Sequence, residues 1–398
     1  PEDLHRDRIG REGVLVTNAF VAMSLCAPSR VCHLSGLYPP KNGITGNQTR
    51  WDPSVPVLPG LLHEAGWRTA HIGKWQMDGD DRVQPGYGYW AAQAGQGQYE
   101  NPRKNINGTW TELKGYDTTI ITNQAAGFIR DSRKRGLPFC AWIGYKACHG
   151  PFTPAPGHEN DLASVEFKPD RARRRSPYRA AQAGAPAGRK AKRKAAKTKA
   201  GDPPATLERW AARERDHYRC LMGAEDSAGR LPASFEELKA LDDTAVVLAG
   251  DNGFSHGEHG LHGEMEAYQE ALRIPIMARF PRLIRAGRRC SSFVARVDFA
   301  SAIPDFRGAK PARPMQGRSW KPLVTGAAPP QPWCDSFVYS QYGERAEAPV
   351  AKALRTERYK LILNLNPKDR EELYDLKTGP REMKKIDDPA VPAVQATL

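Results

Sequence analysis

Two hydrophobic periods alternate along this chain. Leu4, Ile9 and Val14 fall near helical spacing, so residues 1–13 read as the end of a helix, and Val14-Leu15-Val16-Thr17-Asn18-Ala19-Phe20 follows as a strand. Leu61, Leu62 and Ala65 predict a short helix over 58–65, and Arg68 to Trp75 a strand that runs into a loop. Residues 84–90, 95–99 and 105–108 read as loop and hairpin from their Gly, Pro and Asn content. Ile120 to Arg130 carries an amphipathic helical pattern, and Pro138 to Tyr145 an apolar run expected to be a buried strand. A long helix is predicted from Thr206 to Gly229, then a short apolar strand from Thr244 to Gly250. Residues 337–341, 350–355 and 359–364 alternate like antiparallel strands. At 398 residues with 40% hydrophobic content, the chain has room for one large α/β domain and a smaller appendage.

Chemistry-bearing residues cluster at the joints of this pattern. After the first strand, Pro28 has a φ suited to a first helical turn and Gly36 closes the apolar stretch, which predicts a short helix with Cys26 just before its N-terminus. Unpaired N–H groups and a partial positive charge there suit an anion and lower the pKa of a thiol. The strand ending at Gly250 delivers Asp251-Asn252-Gly253, oxygen donors at a strand end where α/β proteins place cation and phosphate chemistry.

The run Cys26-Ala27-Pro28-Ser29-Arg30 followed by Leu34-Ser35-Gly36 resembles the signature of the type I sulfatases, usually worded with Leu-Thr-Gly at its close. Further landmarks follow in family order: Gly73-Lys74-Trp75, His149-Gly150-Pro151-Phe152, Asp251-Asn252-Gly253, Gly257-Glu258-His259-Gly260, Tyr268 to Pro275, and Gly317-Arg318-Ser319. The resemblance implies an alkaline-phosphatase-like α/β sandwich with a central mostly parallel sheet and a small C-terminal α+β subdomain. On that reading residues 1–325 form the catalytic domain and 326–398 the subdomain.

It also implies roles. Cys26 would be oxidised to formylglycine by a maturation enzyme, the hydrated aldehyde serving as nucleophile. Arg30 and Lys74 would hold sulfate oxygens, His149 would protonate the departing alcohol, and Asp251 and Asn252 would ligate Ca2+ or a similar divalent cation. The family precedes these landmarks with a strand ending in two Asp ligands, and this chain begins past that point, so an N-terminally incomplete domain with a weakened cation site is expected. Two positions depart from the pattern. Gln76 stands where a proton-accepting His is usual, and an amide cannot act as a general base. Glu264 replaces a sulfate-contacting Lys, which reverses the local field; His256 and His262 are candidate substitutes, and both departing residues are expected on the substrate side of the site.

Gly95-Gln96-Gly97 and Asn105-Ile106-Asn107-Gly108 are similar to the glucosamine-6-sulfatase, heparan-type branch, although ordinary turns have the same wording. The implied function is a sulfuric ester hydrolase acting on a sulfated carbohydrate. The alternative is an impaired or truncated homologue that only binds sulfated glycans. The resemblance points to a secreted, periplasmic or lysosomal setting, to which two glycosylation-type triplets, Asn47-Gln48-Thr49 and Asn107-Gly108-Thr109, add little.

Charge alters this picture less than its total suggests. The net charge is +14, but Lys168 to Lys199 alone holds 13 basic residues against Asp170, and the rest is nearly neutral. That segment, 168–200, has no apolar face and reads as a disordered, solvated insertion, with a polyanion-binding arm as the other reading; a nucleic-acid partner is not expected for the protein as a whole. No stretch reads as a membrane span. Seven cysteines, at 26, 32, 140, 148, 220, 290 and 334, form no CxxC pair and no disulfide framework.

Overall fold

The computed structural model describes residues 5–77, 82–93, 95–168, 207–308, 315–329, 331–343, 350–366 and 370–386. The basic insertion, apart from Lys168, lies outside them. In chain order come α1 (His5–Arg11), β1 (Val14–Phe20), α2 (Cys26–Ser35), α3 (Pro39–Asn42), α4 (Leu58–Glu64), β2 (Arg68–Lys74) and β3 (Tyr89–Gln93). The hairpin β4 (Arg103–Ile106) and β5 (Thr109–Glu112) precedes α5 (Asp117–Lys134) and β6 (Phe139–Gly144). Then follow α6 (Leu207–Glu237), β7 (Val246–Ala249), the two-residue strands β8 (Ser255–His256) and β9 (His262–Gly263), α7 (Gln269–Leu272) and β10 (Arg273–Arg279). The chain continues through β11 (Arg288–Cys290), β12 (Val294–Ala295), α8 (Phe299–Asp305) and α9 (Lys321–Thr325). It closes with β13 (Ser336–Gln341), β14 (Val350–Thr356), β15 (Tyr359–Asn366) and β16 (Arg370–Asp375).

Two five-stranded sheets form the body. One has the order β5-β4-β3-β2-β6, with β2 between parallel β3 and β6 at one side and the antiparallel β4–β5 hairpin at the other. The other has β1 parallel to β11 and β12 and antiparallel to β10, which in turn pairs antiparallel with β7. The parallel pairings thus lie on the β6 side of the first sheet and beside β1 in the second.

The period-2 alternation of β2 sends its side chains to two different layers. Ala70 and Ile72 meet Ile121, Ala125, Phe128 and Ile129 of α5 and Leu231 and Phe235 of α6. On the opposite face Ala27, Val31 and Leu34 of α2 pack with Trp75, Trp90 and Ala92. A sheet covered by helices on both faces is the α/β sandwich expected.

Local expectations shift where packing intervenes. Helix α6 runs on past Gly229 and through Pro232 to Glu237, because Leu231 and Phe235 find places in the core beneath β2. Strand β6, expected to be buried, is half-buried from Phe139 to Ile143. The C-terminal strands β13 to β16 form an antiparallel meander whose Phe337, Tyr339, Ala351, Ala353, Ile362 and Tyr374 share one core with Val16, Phe20, Ile274 and Ile276. Among the described residues no helix is long and apolar enough to cross a membrane.

Candidate active site

Strand β1 feeds a fully buried connection, Val21 to Leu25, that enters α2 with Leu25 extended at the cap and Cys26 as the first helical residue. The helix closes as its sequence predicts, Gly36 standing at φ 69° with its N–H on the Cys32 carbonyl. Cys26 is therefore inside the first turn and 2% exposed. Its Sγ lies 3.6 Å from Lys74 Nζ and 3.6 Å from both Glu264 carboxylate oxygens.

These neighbours correct the expectation of an acidic thiol. Burial above all, then the Glu264 carboxylate, pushes the Cys26 thiol up to about 12, and the opposing Lys74 charge does not offset them. A thiol held protonated is a poor nucleophile at neutral pH.

Arg30, one turn further along α2, joins the two sheets. Its guanidinium donates to Asp251 Oδ2 from Nη2 at 2.8 Å and from Nε at 3.2 Å, while Nη1 donates to the Lys74 carbonyl at 2.6 Å. The ends of β2 and β7 are thereby fixed to one side chain. Ser29 adds a hydroxyl bond to the Asp251 carbonyl, and Arg296, buried, donates to the Gly250 carbonyl at 2.6 Å. Burial alone would raise the Asp251 carboxyl, but Arg30, Lys74 and Arg296 together hold it well below the usual carboxylate range.

His149 follows β6, its Nδ1–H donating to the Gly150 carbonyl at 2.7 Å. Burial, then the Lys74 charge, lowers it to about 4, so it rests neutral at pH 7. Glu264 follows β9 and turns inward. Burial and the Asp251 charge raise its carboxyl to about 7. A ring nitrogen of His149, a Glu264 oxygen and Cys26 Sγ all lie within 4.8 Å of one another.

The structure thus brings Cys26, Lys74, His149 and Glu264 together, with the Arg30–Asp251 pair directly behind. Asn252 donates to the Gly253 carbonyl at 2.8 Å and hydrogen-bonds Glu264, leaving its Oδ1 buried without a hydrogen-bond partner among the described residues. Gln76 sits two residues beyond β2 at φ 48°, buried, its Oε1 unpaired among the described residues. His256, a candidate substitute for the lost cation, is instead held by Glu214 at 2.6 Å, and His262 packs against Gly257.

Sequence reasoning missed two cations. Arg296 lies far along the chain and carried no motif. Lys146, buried over the Tyr99 ring at 4.8 Å and with its pKa lowered first by burial and then by the Lys74 charge, stands three residues before His149 and could have been noticed there.

The donor set suits a hard divalent cation: the Asp251 carboxylate, the orphaned Asn252 Oδ1 and the Glu264 carboxylate are all oxygen, and a buried acceptor with no donor is satisfied by a metal.

The Sulfatase family model matches residues 3–308, and that of the N-sulphoglucosamine sulphohydrolase C-terminal region matches 257–398. An N-acetylglucosamine-6-O-sulfatase of Bacteroides thetaiotaomicron is 30% identical over 435 residues, covering 96% of this chain and 77% of its own length. The N-acetylglucosamine-6-sulfatase of Capra hircus is 25% identical over 80% of this chain and 59% of itself, so the chain spans well under two thirds of that relative. Among solved structures, BT4656 in complex with its substrate D-glucosamine-2-N,6-O-disulfate superposes with a TM-score of 0.85 at 27% identity, covering 99% of this chain and 90% of that one. The fold is thus the alkaline-phosphatase-like α/β fold of these enzymes, and this chain belongs to the sulfatase family of sulfuric ester hydrolases.

Proposed function

We propose that this chain removes sulfate from a sulfated amino sugar, using residue 26 in its formylglycine form. The observation that carries the reading is the convergence of Cys26, Lys74 and His149 on one pocket, backed by the Arg30–Asp251 pair. The protonated thiol supports it further, since unmodified Cys26 is too weak a nucleophile for the task. The amino-sugar class rests on the named activity of the Bacteroides relative and on the disulfated glucosamine bound to BT4656.

In this mechanism, once Cys26 is oxidised, hydrated formylglycine supplies the attacking oxygen and later releases inorganic sulfate by losing a proton. Lys74 and Arg30 stabilise the charge that builds on the sulfate oxygens. His149, resting neutral, gains a proton when the anionic ester binds beside it, and passes it to the departing sugar oxygen. Asp251 and Asn252, joined by Glu264, would hold a Ca2+-type cation, which when bound polarises the sulfate as a Lewis acid.

Release of the second product is the weak step, because the neutral Gln76 amide cannot accept the proton that the residue-26 hydroxyl must lose. Rapid mixing with an aryl sulfate is expected to give a burst of one equivalent of phenol and then slow turnover; steady turnover from the first cycle would remove this reading. The second reading is an impaired homologue that only binds sulfated glycans, favoured by Gln76, an amide buried where a proton acceptor is expected. Mass spectrometry of the peptide spanning residue 26 separates the two, since a pure binder has no need of the aldehyde.

A further inference from the structure

We propose that, while residue 26 is still a thiol, Cys26, His149 and Glu264 form a three-ligand site for a thiophilic divalent cation such as Zn2+. The three donors, sulfur, imidazole nitrogen and carboxylate oxygen, are of the types that hold zinc, and three protein ligands with one position left for water is the usual count at an open zinc site.

The spacing suits it. With zinc–sulfur and zinc–oxygen bonds of about 2.3 and 2.0 Å, a tetrahedral centre separates the two ligands by roughly 3.5 Å. Cys26 Sγ lies 3.6 Å from each Glu264 oxygen, and the His149 nitrogen is within 4.8 Å of both ligands. His149 is already oriented: its Nδ1–H is committed to the Gly150 carbonyl, which leaves the Nε2 lone pair for the cation, the arrangement that steadies metal-bound imidazoles.

Charge balances as well. On binding, the Cys26 S–H proton goes to solvent and a sulfur–metal bond forms; the thiolate and the Glu264 carboxylate together cancel the 2+ charge, and His149 stays neutral. Lys74 Nζ, 3.6 Å from Sγ, then donates to the thiolate from outside the coordination sphere.

Glu264 makes this site particular to the chain. The Lys that the sulfatase wording places at this position would put an ammonium where the third ligand belongs. The site shares Glu264 with the oxygen-only donor set of Asp251 and Asn252, and differs from it in adding a sulfur and a nitrogen. Its consequence lies before catalysis: conversion to the aldehyde oxidises Cβ and breaks the Cβ–Sγ bond, and a cation bonded to Sγ holds the sulfur that must leave, so metal binding and maturation of the folded chain exclude each other.

The test uses full-length chain prepared with residue 26 as a thiol, verified by intact mass, and titrated with Co2+ and Zn2+. One equivalent of Co2+ is expected to produce a sulfur-to-cobalt charge-transfer band that is absent in Cys26→Ser and in converted protein. Zn2+ affinity is expected to fall at least about tenfold in Glu264→Lys and His149→Ala. Glu264→Gln preserves the shape of the side chain and guards against misfolding; it should bind Zn2+ at least about tenfold more weakly with an unchanged melting temperature. A band that survives Cys26→Ser, or undiminished Zn2+ affinity in Glu264→Gln, overturns the proposal. None of these readouts requires sulfate hydrolysis, so the outcome is independent of the enzymatic reading.

Discussion

Arg30 has one guanidinium and two strand ends to hold. Because Arg30 is itself buried while Asp251 is partly so, removing it leaves a half-buried carboxylate without its cation beside a loosened β2 end. Arg30→Ala is expected to cost about 3 kcal/mol of stability, read by urea denaturation, besides abolishing sulfate hydrolysis. At position 76 the change runs the other way. Gln76→His supplies a group that titrates near neutrality where only an amide stands, and if its ring reaches the residue-26 oxygens the slow phase after the burst should accelerate by about 100-fold or more. Glu264→Lys exchanges repulsion for attraction beside the sulfate and should lower KM for an aryl sulfate; an unchanged KM would place the bound sulfate away from this side chain.

At the scale of elements, β2 is the strand on which the site depends, and its packing leaves little tolerance. Gly73 pairs with Gly144 of β6 at φ 104°, and a Cβ there would lie 2.1 Å from the Gly144 carbonyl oxygen. Gly73→Ala should therefore destabilise by about 2 kcal/mol or more and displace Lys74, seen as a loss of activity exceeding the loss of folded protein. His71, on the same strand, is buried among Trp75, Tyr87 and Trp90, and burial pushes it down to about 3. The unfolded chain takes up a proton near pH 6.5 that the folded chain refuses until about 3. Its contribution to stability is thus complete above pH 6.5 and declines as pH falls, by about 1.4 kcal/mol per unit. Melting temperatures between pH 7 and 5 should fall less steeply in His71→Phe than in the parent.

Across the whole molecule, the C-terminal meander is a second wall of the β1 core. Phe337 stacks on Phe20 at 5.2 Å, Arg355 lies over the same ring at 4.5 Å, and Lys360 reaches Glu382 at 2.7 Å while Glu382 accepts the Gln269 N–H. We read 326–398 as a subdomain in topology that does not fold separately from the rest. Truncation after residue 325 is expected to expose the apolar face of the β1 sheet and yield aggregated protein; a soluble, cooperatively melting fragment would refute that view.

What the sequence by itself determined is everything carried by neighbours along the chain. The helix that opens at Cys26 and closes at Gly36, the strand that delivers Lys74, the strand that delivers Asp251 and Asn252, and the C-terminal meander follow from residues within a few positions of one another, where periodicity and turn chemistry act. The continuation of α6 through Pro232 did not, because it answers to a core built by distant residues. Nor did the state of the Cys26 thiol. Local reasoning credited the helix N-terminus, whereas burial and a carboxylate 238 positions away set the outcome. Only the tertiary structure decided that Glu264 faces inward and that Arg30 bridges two sheets, since electrostatics depends on distance through space and on the exclusion of water, and neither is a property of sequence order.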